Sequence, residues 1–151
     1  MTIYCKIMTS PVGLLTLESD GESITALRFG GNHDGESCPL LEKATRELEE
    51  YFAGQRREFD LPLSPAGTEF QRSVWKALLT IPYGQTASYG QIAARVGNPK
   101  ASRAVGMANN RNPISIFIPC HRVVGADGSL TGYGGGLPIK EYLLKLESGS
   151  L

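Results

Sequence analysis

Apolar positions in the first third of the chain fall in short runs rich in β-forming residues, separated by polar turn formers. These runs cover Ile3–Met8, Leu14–Glu18 and Ser23–Phe29. From Pro39 to Phe52 the apolar positions recur at helical spacing, and Gly54 follows them. The pattern predicts three strands followed by one helix.

Helical spacing returns after residue 67. Thr68–Gln71 has the form of a capping box, in which the Thr oxygen and the Gln side chain satisfy free backbone amides. Ser88–Gln91 repeats this form, and Gly97 supplies a helix stop. Asn98 is expected to cap a third helix that runs from Pro99 to about Ala108. Two short helices separated by a Gly-Asn break are typical of a helix-turn-helix.

The remaining segments complete the predicted fold. The apolar run Ile114–Ile118 predicts a buried strand, and a last helix is expected from near Pro138 to Glu147. Prolines and a glycine mark Gln55–Gly67 as a linker. We therefore expect an α+β fold with a small N-terminal α/β domain over residues 1–63. A mainly helical, winged helix-turn-helix-like domain is expected over residues 64–151.

Composition narrows the class of protein. The 151 residues carry 15 basic and 15 acidic side chains, and 41% of them are hydrophobic, which is ordinary for a globular protein. No apolar run approaches the roughly 20 residues of a membrane-spanning helix, and residues 1–11 lack a signal-peptide pattern. Cys5, Cys38 and Cys120 are an odd number of cysteines at wide spacing, which argues against a disulfide framework. We expect a cytoplasmic protein with no membrane partner.

The zero net charge conceals an uneven distribution. No Asp or Glu occurs from Phe70 to Ala126, so all 15 acidic residues lie outside this window. The window holds seven basic residues, which are Arg72, Lys76, Arg95, Lys100, Arg103, Arg111 and Arg122. Such asymmetry indicates a polyanion partner, and chance fluctuation of charge along the chain is the alternative.

The helix predicted from Pro99 to about Ala108 has an unusual composition. Arg103 is its one long polar side chain in the middle, and the others are small: Ala101, Ser102, Ala104, Gly106 and Ala108. A helix that reads the major groove needs several long donors or acceptors. Small side chains instead allow close approach to a surface such as the minor groove, with one probing arginine. A tightly packed internal helix is the open alternative.

A thiol, an imidazole and a guanidinium follow one another at Cys120, His121 and Arg122. A nearby positive charge or base lowers the pKa of a thiol, and this stretch offers both without a competing acid. We expect a bridging water to relay the proton to His121, and a third group to orient the imidazole. Glu147 is the candidate for that group. A buried structural cysteine is the alternative.

At these residues the chain resembles the O6-alkylguanine-DNA alkyltransferases, also called methylated-DNA–protein-cysteine methyltransferases. The resemblance extends from about Thr68 to Glu147, and the order and spacing of its motifs are kept. These motifs are Ile118–Val124, Ser88–Ala93, Arg103–Gly106, Asn112-Pro113, Gly132–Gly136 and Lys140-Glu141. The first 60 or so residues fit the family's variable N-terminal domain only loosely.

The resemblance implies direct reversal of DNA damage by a stoichiometric methyltransferase. An O6-alkylguanine is flipped out of the duplex, and Cys120 takes its alkyl group irreversibly, once per molecule. His121 acts as the water-mediated base, and Glu147 orients it. Asn112 braces the turn that joins the recognition helix to the active-site strand, and Tyr133 hydrogen-bonds the flipped guanine.

The resemblance also implies contacts with DNA and with the base. Arg103 takes the vacated place in the stack, Tyr89 presses on the adjoining phosphate, and the carbonyls of Cys120 and Val123 recognise the exocyclic amine. The residues expected at the DNA are Tyr89, Ala101, Ser102, Arg103, Ala104, Arg111 and Arg122. Those expected around the substrate are Ser115, Val123, Gly134 and Gly135.

No cofactor is implied, and no metal is expected. Cys5, Cys38 and His33 are too few and too scattered for the structural zinc that some relatives carry. The implied partner is double-stranded DNA that contains O6-alkylguanine, with O4-alkylthymine left open as a second substrate. The protein is expected to act as a monomer, and its cooperativity on DNA is also open.

Two other functions compete with this hypothesis. An alkyltransferase-like protein would hold the lesion and recruit other factors, but such proteins lack the acceptor thiol that Cys120 provides. A hydrolase with a Cys–His–Glu centre would need an oxyanion hole and turnover. The acid-free window and the helix-turn-helix favour DNA over such a substrate.

Overall fold

The N-terminal part is an antiparallel sheet covered by one helix. A computed structural model describes residues 2–31 and 34–151, so His33 lies outside the described residues. Strands β1 (Tyr4–Ser10), β2 (Gly13–Ser19) and β3 (Ile24–Phe29) pair in the order β1-β2-β3. Pro11 and Val12 form the turn that joins β1 to β2, and Gly13 follows it with a positive φ of 101°, which glycine adopts without steric cost. Helix α1 (Pro39–Phe52) has the predicted bounds and packs on the sheet.

The C-terminal part is mainly helical. Its helices are α2 (Glu69–Leu78), α3 (Tyr89–Arg95), α4 (Ser102–Asn110) and α5 (Leu137–Ser148), and two-residue strands β4 (Ala87–Ser88) and β5 (Val123–Val124) pair in parallel. The predicted α+β fold class, with a small N-terminal sheet and a helical C-terminal part, is confirmed. Within the described ranges, no helix is long and apolar enough to cross a membrane.

Both predicted capping boxes are formed. The amide of Gln71 donates to Thr68 Oγ1 at 3.1 Å, and the amide of Thr68 donates to Gln71 Oε1 at 3.0 Å. At the start of α3 the same two bonds join Ser88 and Gln91 at 3.1 and 2.8 Å. These bonds satisfy amides that the first turn of each helix leaves free.

The helix predicted to begin at Pro99 begins later in the structure. Helix α4 starts at Ser102, and its N-cap is Ala101 rather than Asn98. The reason is that Asn98 closes the preceding helix: its amide donates to the Ala93 carbonyl at 3.0 Å, while Gly97 adopts a φ of 82°. The amide of Ala101 then bonds to the Asn98 carbonyl, which makes a turn before α4.

The predicted strand Ile114–Ile118 is wrong. The segment folds back on itself, because the amide of Ile118 donates to the carbonyl of Ile114 at 3.0 Å. Ile116 sits at a φ of 71°, which is rare for a β-branched residue. The segment still touches the sheet, since Leu27 of β3 donates its amide to Pro113 and accepts one from Ser115. Burial of the isoleucines therefore follows from a compact loop on the β3 edge.

One continuous core joins the sheet to the helix-turn-helix. It runs from Leu15 and Leu17 of β2 through Leu48 of α1 to Val74 and Ile92 of the C-terminal helices. The predicted linker also belongs to this arrangement, because its Pro62–Ser64 stretch hydrogen-bonds to Ile24 of β3.

A buried tryptophan ties α2 to the end of α4. The indole Nε1 of Trp75 donates to the carbonyl of Ala108 at 2.8 Å. This bond satisfies one of the carbonyls that the last turn of α4 leaves without an intrahelical partner.

Candidate active site

Cys120 opens a short 3-10 turn, Cys120–Arg122, that follows the compact loop. Its amide donates to the Ile118 carbonyl at 2.8 Å, and its own carbonyl accepts from Asn109 Nδ2 at 3.3 Å. Only 4% of the residue is exposed. The loop and the end of α4 thus fix the backbone of Cys120 from two sides.

Burial raises the pKa of the Cys120 thiol above its ordinary value. The side chains of Asn112, Ser115 and Tyr133 oppose this effect, as does the ammonium of Lys140. The sequence predicts that Arg122 and His121 together lower the pKa of this thiol. That expectation is wrong, because the net shift is upward and the positive group that acts on the thiol is Lys140. The charge of Arg122 is paired with Glu147 instead.

Glu147 is the hub of a buried hydrogen-bond network. Its Oε2 accepts from His121 Nε2 at 2.7 Å and from the hydroxyl of Tyr51 at 2.6 Å. Arg122 adds two bonds, from Nε to Oε1 at 2.8 Å and from Nη2 to Oε2 at 3.1 Å. Burial favours the neutral acid, but the bonds and charges of His121 and Arg122 outweigh it and hold the pKa of Glu147 at about 2.

This network fixes the tautomer of His121. An ionised Glu147 can only accept, so His121 Nε2 carries the proton. The lone pair then lies on Nδ1, a buried atom for which the described residues provide no hydrogen-bond partner. Burial also lowers the pKa of His121, so the imidazole is neutral near pH 7. His121 therefore presents a free base whose orientation is set by Glu147.

Arg122 does not lie where the sequence predicts it. Only 7% of this residue is exposed, and its Nη1 donates to the Ile81 carbonyl at 2.7 Å. This burial argues against the predicted contact of Arg122 with DNA, since the guanidinium compensates Glu147 inside the protein. The other six basic residues of the acid-free window are exposed.

Asn112 lies across the loop that precedes Cys120. Its Nδ2 donates to the carbonyl of Ile118 at 2.9 Å and more weakly to that of Ile114, and its Oδ1 accepts from the Ile114 amide at 3.0 Å. One side chain thus bridges both ends of the back-folded segment.

Of the residues predicted around the substrate, Ser115 lies at the thiol, together with Tyr133. Ser115 and Tyr133 face Cys120, and the buried Tyr133 hydroxyl has no hydrogen-bond partner within the described part of the chain. Gly135 packs against the ring of Phe29, which a Cβ atom would approach to 2.7 Å, whereas Gly134 is exposed. The segment around Tyr133 therefore lies between the thiol and β3.

Lys140 of α5 hydrogen-bonds to the segment that precedes Tyr133. The residue is fully buried, and its Nζ donates to the carbonyls of Val123 at 2.5 Å and Thr131 at 3.3 Å. Burial lowers the pKa of Lys140, while the nearby Cys120 opposes that shift. The Val123 carbonyl, predicted to meet the base, already accepts this bond and keeps a second lone pair.

The exposed face of α4 carries the residues predicted to meet DNA. Arg103, Ala104 and Arg111 are exposed, while Ala101 and Ser102 are half-buried. Met107 lies on the same face, one turn after Arg103, and is 58% exposed. Tyr89 begins α3, and its hydroxyl hydrogen-bonds to Thr131 Oγ1. Tyr89 thereby links the helix-turn-helix to the segment that precedes Tyr133.

Three residues of this centre were not identified from the sequence, namely Tyr51, Asn109 and Lys140. Tyr51 belongs to the apolar stripe of α1, which by itself indicates only core packing. Asn109 and Lys140 are buried polar residues at helix positions where apolar ones are usual. That break in the apolar pattern was the available signal for both.

Neither a metal cluster nor a large cavity marks the centre. In residues 2–31 and 34–151, no three His, Cys, Asp or Glu side chains are grouped to hold a metal ion. A cavity of about 490 Å³ is lined by Arg57, Tyr83 and Arg122 but not by Cys120. The chemistry of the side chains, rather than the size of a pocket, identifies the site.

The network predicts loss of stability in acid. Because the pKa of Glu147 falls from 4.5 to about 2 on folding, its stabilisation is complete above pH 4.5 and is lost as the pH falls to 2. This carboxyl contributes about 3 kcal/mol to that loss. The lowered pKa of His121 acts in the same direction below pH 6.5. Urea unfolding from pH 7 to pH 2.5 measures the effect.

The control for this prediction is Glu147→Gln. The difference in unfolding free energy between the parent protein and this variant is expected to shrink steadily below pH 4.5. A difference that stays constant down to pH 2.5 would contradict the assignment of a strongly acidic Glu147.

Two family models together match nearly the whole chain. The model described as 6-O-methylguanine DNA methyltransferase, DNA binding domain, matches residues 69–149. The model described as 6-O-methylguanine DNA methyltransferase, ribonuclease-like domain, matches residues 3–65.

Individual relatives are similar along their full length. The methylated-DNA–protein-cysteine methyltransferase of Methanosarcina acetivorans is 53% identical over 153 residues, which cover 96% of this chain and 98% of the relative. The protein of the same name from Mycobacterium tuberculosis is 50% identical over 152 residues, covering 96% and 92%. The crystal structure of Mycobacterium tuberculosis OGT in complex with DNA has a TM-score of 0.91 at 50% identity, covering 97% of this chain and 94% of that one.

Proposed function

The chain belongs to the 6-O-methylguanine DNA methyltransferase family, and from this premise we propose that Cys120 is the residue that accepts the alkyl group. The protein acts in DNA repair by transferring an alkyl group from DNA to its own cysteine. The observation that carries the assignment to Cys120 is its place in the chain directly before His121, a neutral imidazole whose Nε2 bonds an ionised carboxylate.

We propose that the reaction is a single displacement on O6-alkylguanine. The thiol proton of Cys120 passes through a water to His121 Nδ1, and Glu147 stabilises the imidazolium that forms. The sulfur then forms a bond to the alkyl carbon as the carbon–O6 bond breaks, and the electron pair stays on the guanine. The departing base takes up one proton, so no proton is gained or lost overall. The Tyr133 hydroxyl hydrogen-bonds the base as its charge develops.

The buried thiol implies that the substrate must be brought to it. A guanine reaches Cys120 only when it leaves the base stack, which costs a few kcal/mol. We propose that Arg103 occupies the vacated stack, that Tyr89 presses on the adjoining phosphate, and that Met107 adds an apolar contact in the minor groove. Asn112 keeps the Cys120 loop in shape, and Lys140 holds the Val123 carbonyl at the pocket edge.

The organisation of the protein is part of the same proposal. We propose that residues 1–63 form a supporting domain and that residues 64–151 form the domain that binds DNA and accepts the alkyl group. The acidic N-terminal part faces away from the phosphates. The protein works as a monomer in the cytoplasm and needs no cofactor.

Mass spectrometry tests the proposed acceptor directly. The protein is incubated with a duplex containing a single O6-methylguanine, and the intact protein and its peptides are then weighed. We expect a gain of one methyl group per molecule, located on the peptide that contains Cys120. A methyl group on Cys5 or Cys38, or no gain at all, would refute the proposal.

Replacing Arg103 separates base flipping from chemistry. For Arg103→Ala we expect transfer from duplex to slow about tenfold or more, because the stacked base is no longer displaced. Transfer from a free benzylated guanine should change far less. Single-turnover rates on both substrates measure the two effects, and equal losses would exclude the stacking role.

Arg111→Ala is the matched control for this experiment, because it removes one exposed positive charge from the same face of α4. It is expected to weaken binding to damaged and undamaged duplex alike and to reduce the salt dependence of binding. It should leave the transfer rate at saturating duplex close to that of the parent protein.

A further inference from the structure

The hydroxyl of Tyr51 reaches the chemical centre from the N-terminal part of the molecule. Tyr51 lies near the end of α1, 96 residues before Glu147, and both its ring and its hydroxyl are buried. Its bond to Glu147 Oε2 is 2.6 Å long, and His121 Nε2 donates to the same oxygen at 2.7 Å. With Arg122 Nη2, which donates to Oε2 at 3.1 Å, three donors share this acceptor atom, and only Tyr51 comes from the N-terminal part.

Aromatic packing holds the Tyr51 hydroxyl in one direction. The ring centroid lies 5.3 Å from those of Phe52 and Phe59 and 6.3 Å from that of Tyr83. Burial and the neighbouring Glu147 raise the pKa of Tyr51, so the phenol stays protonated and acts as a donor. The geometry is that of a fixed hydrogen-bond donor aimed at a carboxylate.

We propose that Tyr51 is a positioning residue for alkyl transfer, holding Glu147 Oε2 at the place from which it orients His121. This inference rests on the proposed roles of Cys120, His121 and Glu147. The N-terminal part thereby supplies a side chain that acts on the reacting imidazole through Glu147.

The sharing of Oε2 also controls the strength of the base. A donor on a carboxylate disperses its negative charge and weakens its hold on an imidazolium. Tyr51 thus helps to keep His121 neutral. The other ionisable groups facing this pair are Arg122, which bonds Glu147, Tyr83 and Tyr133 beside Glu147, and Lys140 near His121. The effect of Tyr51 adds to a field that Arg122 and Lys140 already make positive.

Tyr51→Phe keeps the ring and removes the hydroxyl. Single-turnover transfer at saturating damaged duplex is measured from pH 5 to pH 9, so that DNA affinity does not enter the rate. We expect the acid limb of the profile to move upward by about 0.5 to 1 pH unit, because Glu147 then holds the imidazolium more tightly. The proton resonances of the two histidines, assigned with His33→Gln, should report the same rise for His121.

Tyr83→Phe is the matched control. Its ring belongs to the same cluster, but its hydroxyl makes no hydrogen bond to any described residue. The profile of this variant is expected to overlay that of the parent protein. If Tyr51→Phe also leaves both the acid limb and the His121 titration unchanged while lowering stability, Tyr51 only joins the two parts and the proposal is overturned.

A second variant protects the test against misfolding. A 3-fluorotyrosine placed at position 51 alone is a stronger donor of nearly the same shape, and it should shift the acid limb downward. A shift upward or none would overturn the proposal. Absence of transfer in the parent protein would instead refute the proposed function, so the two failures are distinguishable.

Discussion

Replacing Cys120 with alanine is expected to abolish alkyl transfer while binding to damaged DNA persists. The substitution removes the atom that we propose forms the new bond, and no other side chain of the Glu147 network is a nucleophile of comparable strength. Because the thiol is buried and small, the free energy of unfolding should change by only about 1 kcal/mol. The rate is read from protein mass after incubation with O6-methylguanine duplex, and binding from the mobility of the labelled duplex.

The other two cysteines supply the controls for this experiment. Cys5→Ala and Cys38→Ala should transfer at the parental rate, since neither residue belongs to the hydrogen-bond network of Glu147. Burial and the acids Glu18 and Asp34 raise the pKa of Cys5, which disfavours its thiolate. Any methyl group that remains on the Cys120→Ala protein, or loss of lesion binding in that variant with its fold intact, would contradict the assignment.

Removal of Glu147 is expected to have the second largest effect, on stability and on rate together. Glu147→Ala leaves the buried guanidinium of Arg122 without its counter-charge, which costs about 3–5 kcal/mol. It also frees His121 to turn and removes the carboxylate that stabilises the imidazolium. Urea unfolding measures the first loss, and single-turnover transfer on the fraction that remains folded measures the second.

A double replacement separates these two losses. In Glu147→Leu with Arg122→Met, the buried charge disappears together with its partner, so much of the lost folding free energy should return. Transfer should stay impaired, because His121 still lacks its acceptor. Recovery of both properties would show that Glu147 serves the fold alone, and recovery of neither would show that the hydrogen bonds to Tyr51 and His121 dominate stability.

Local signals in the sequence predict most of the fold. The capping boxes at Thr68 and Ser88 involve residues three positions apart, and the stripe of α1 repeats within a single helix. Such patterns need no knowledge of the rest of the molecule. The predicted start of α4 was a few residues too early because Asn98 could either end α3 or cap α4. Only the geometry of the Gly97 turn decides between these two roles.

The loop before Cys120 shows why a run of apolar residues is ambiguous. Ile114–Ile118 has the composition of a strand, and its burial agrees with that prediction. Its backbone path is set by the side-chain amide of Asn112, which hydrogen-bonds to both ends of the segment, and by the edge of β3. A side chain that bridges a loop leaves no periodic trace in the sequence.

The residues of the candidate site also divide into those that a local pattern indicates and those that only the folded chain brings together. Cys120 and His121 were predicted because adjacent residues already suggest their chemistry. The place of Arg122 was missed because charge alone suggests a surface, whereas its partner Glu147 lies 25 residues away. Tyr51 is further still from Glu147, and only the folded chain brings the two together. Contacts of this kind depend on tertiary packing rather than on any local pattern.

The bond between Trp75 and the last turn of α4 gives the native protein its own optical reporter. Trp75 is the sole tryptophan of the chain, so the fluorescence of the protein comes largely from one indole. That indole donates to the carbonyl of Ala108, next to the Asn109 that holds the Cys120 backbone. A shift of α4 on DNA binding or after alkylation changes the surroundings of this single chromophore. Stopped-flow emission can therefore follow both events without a label.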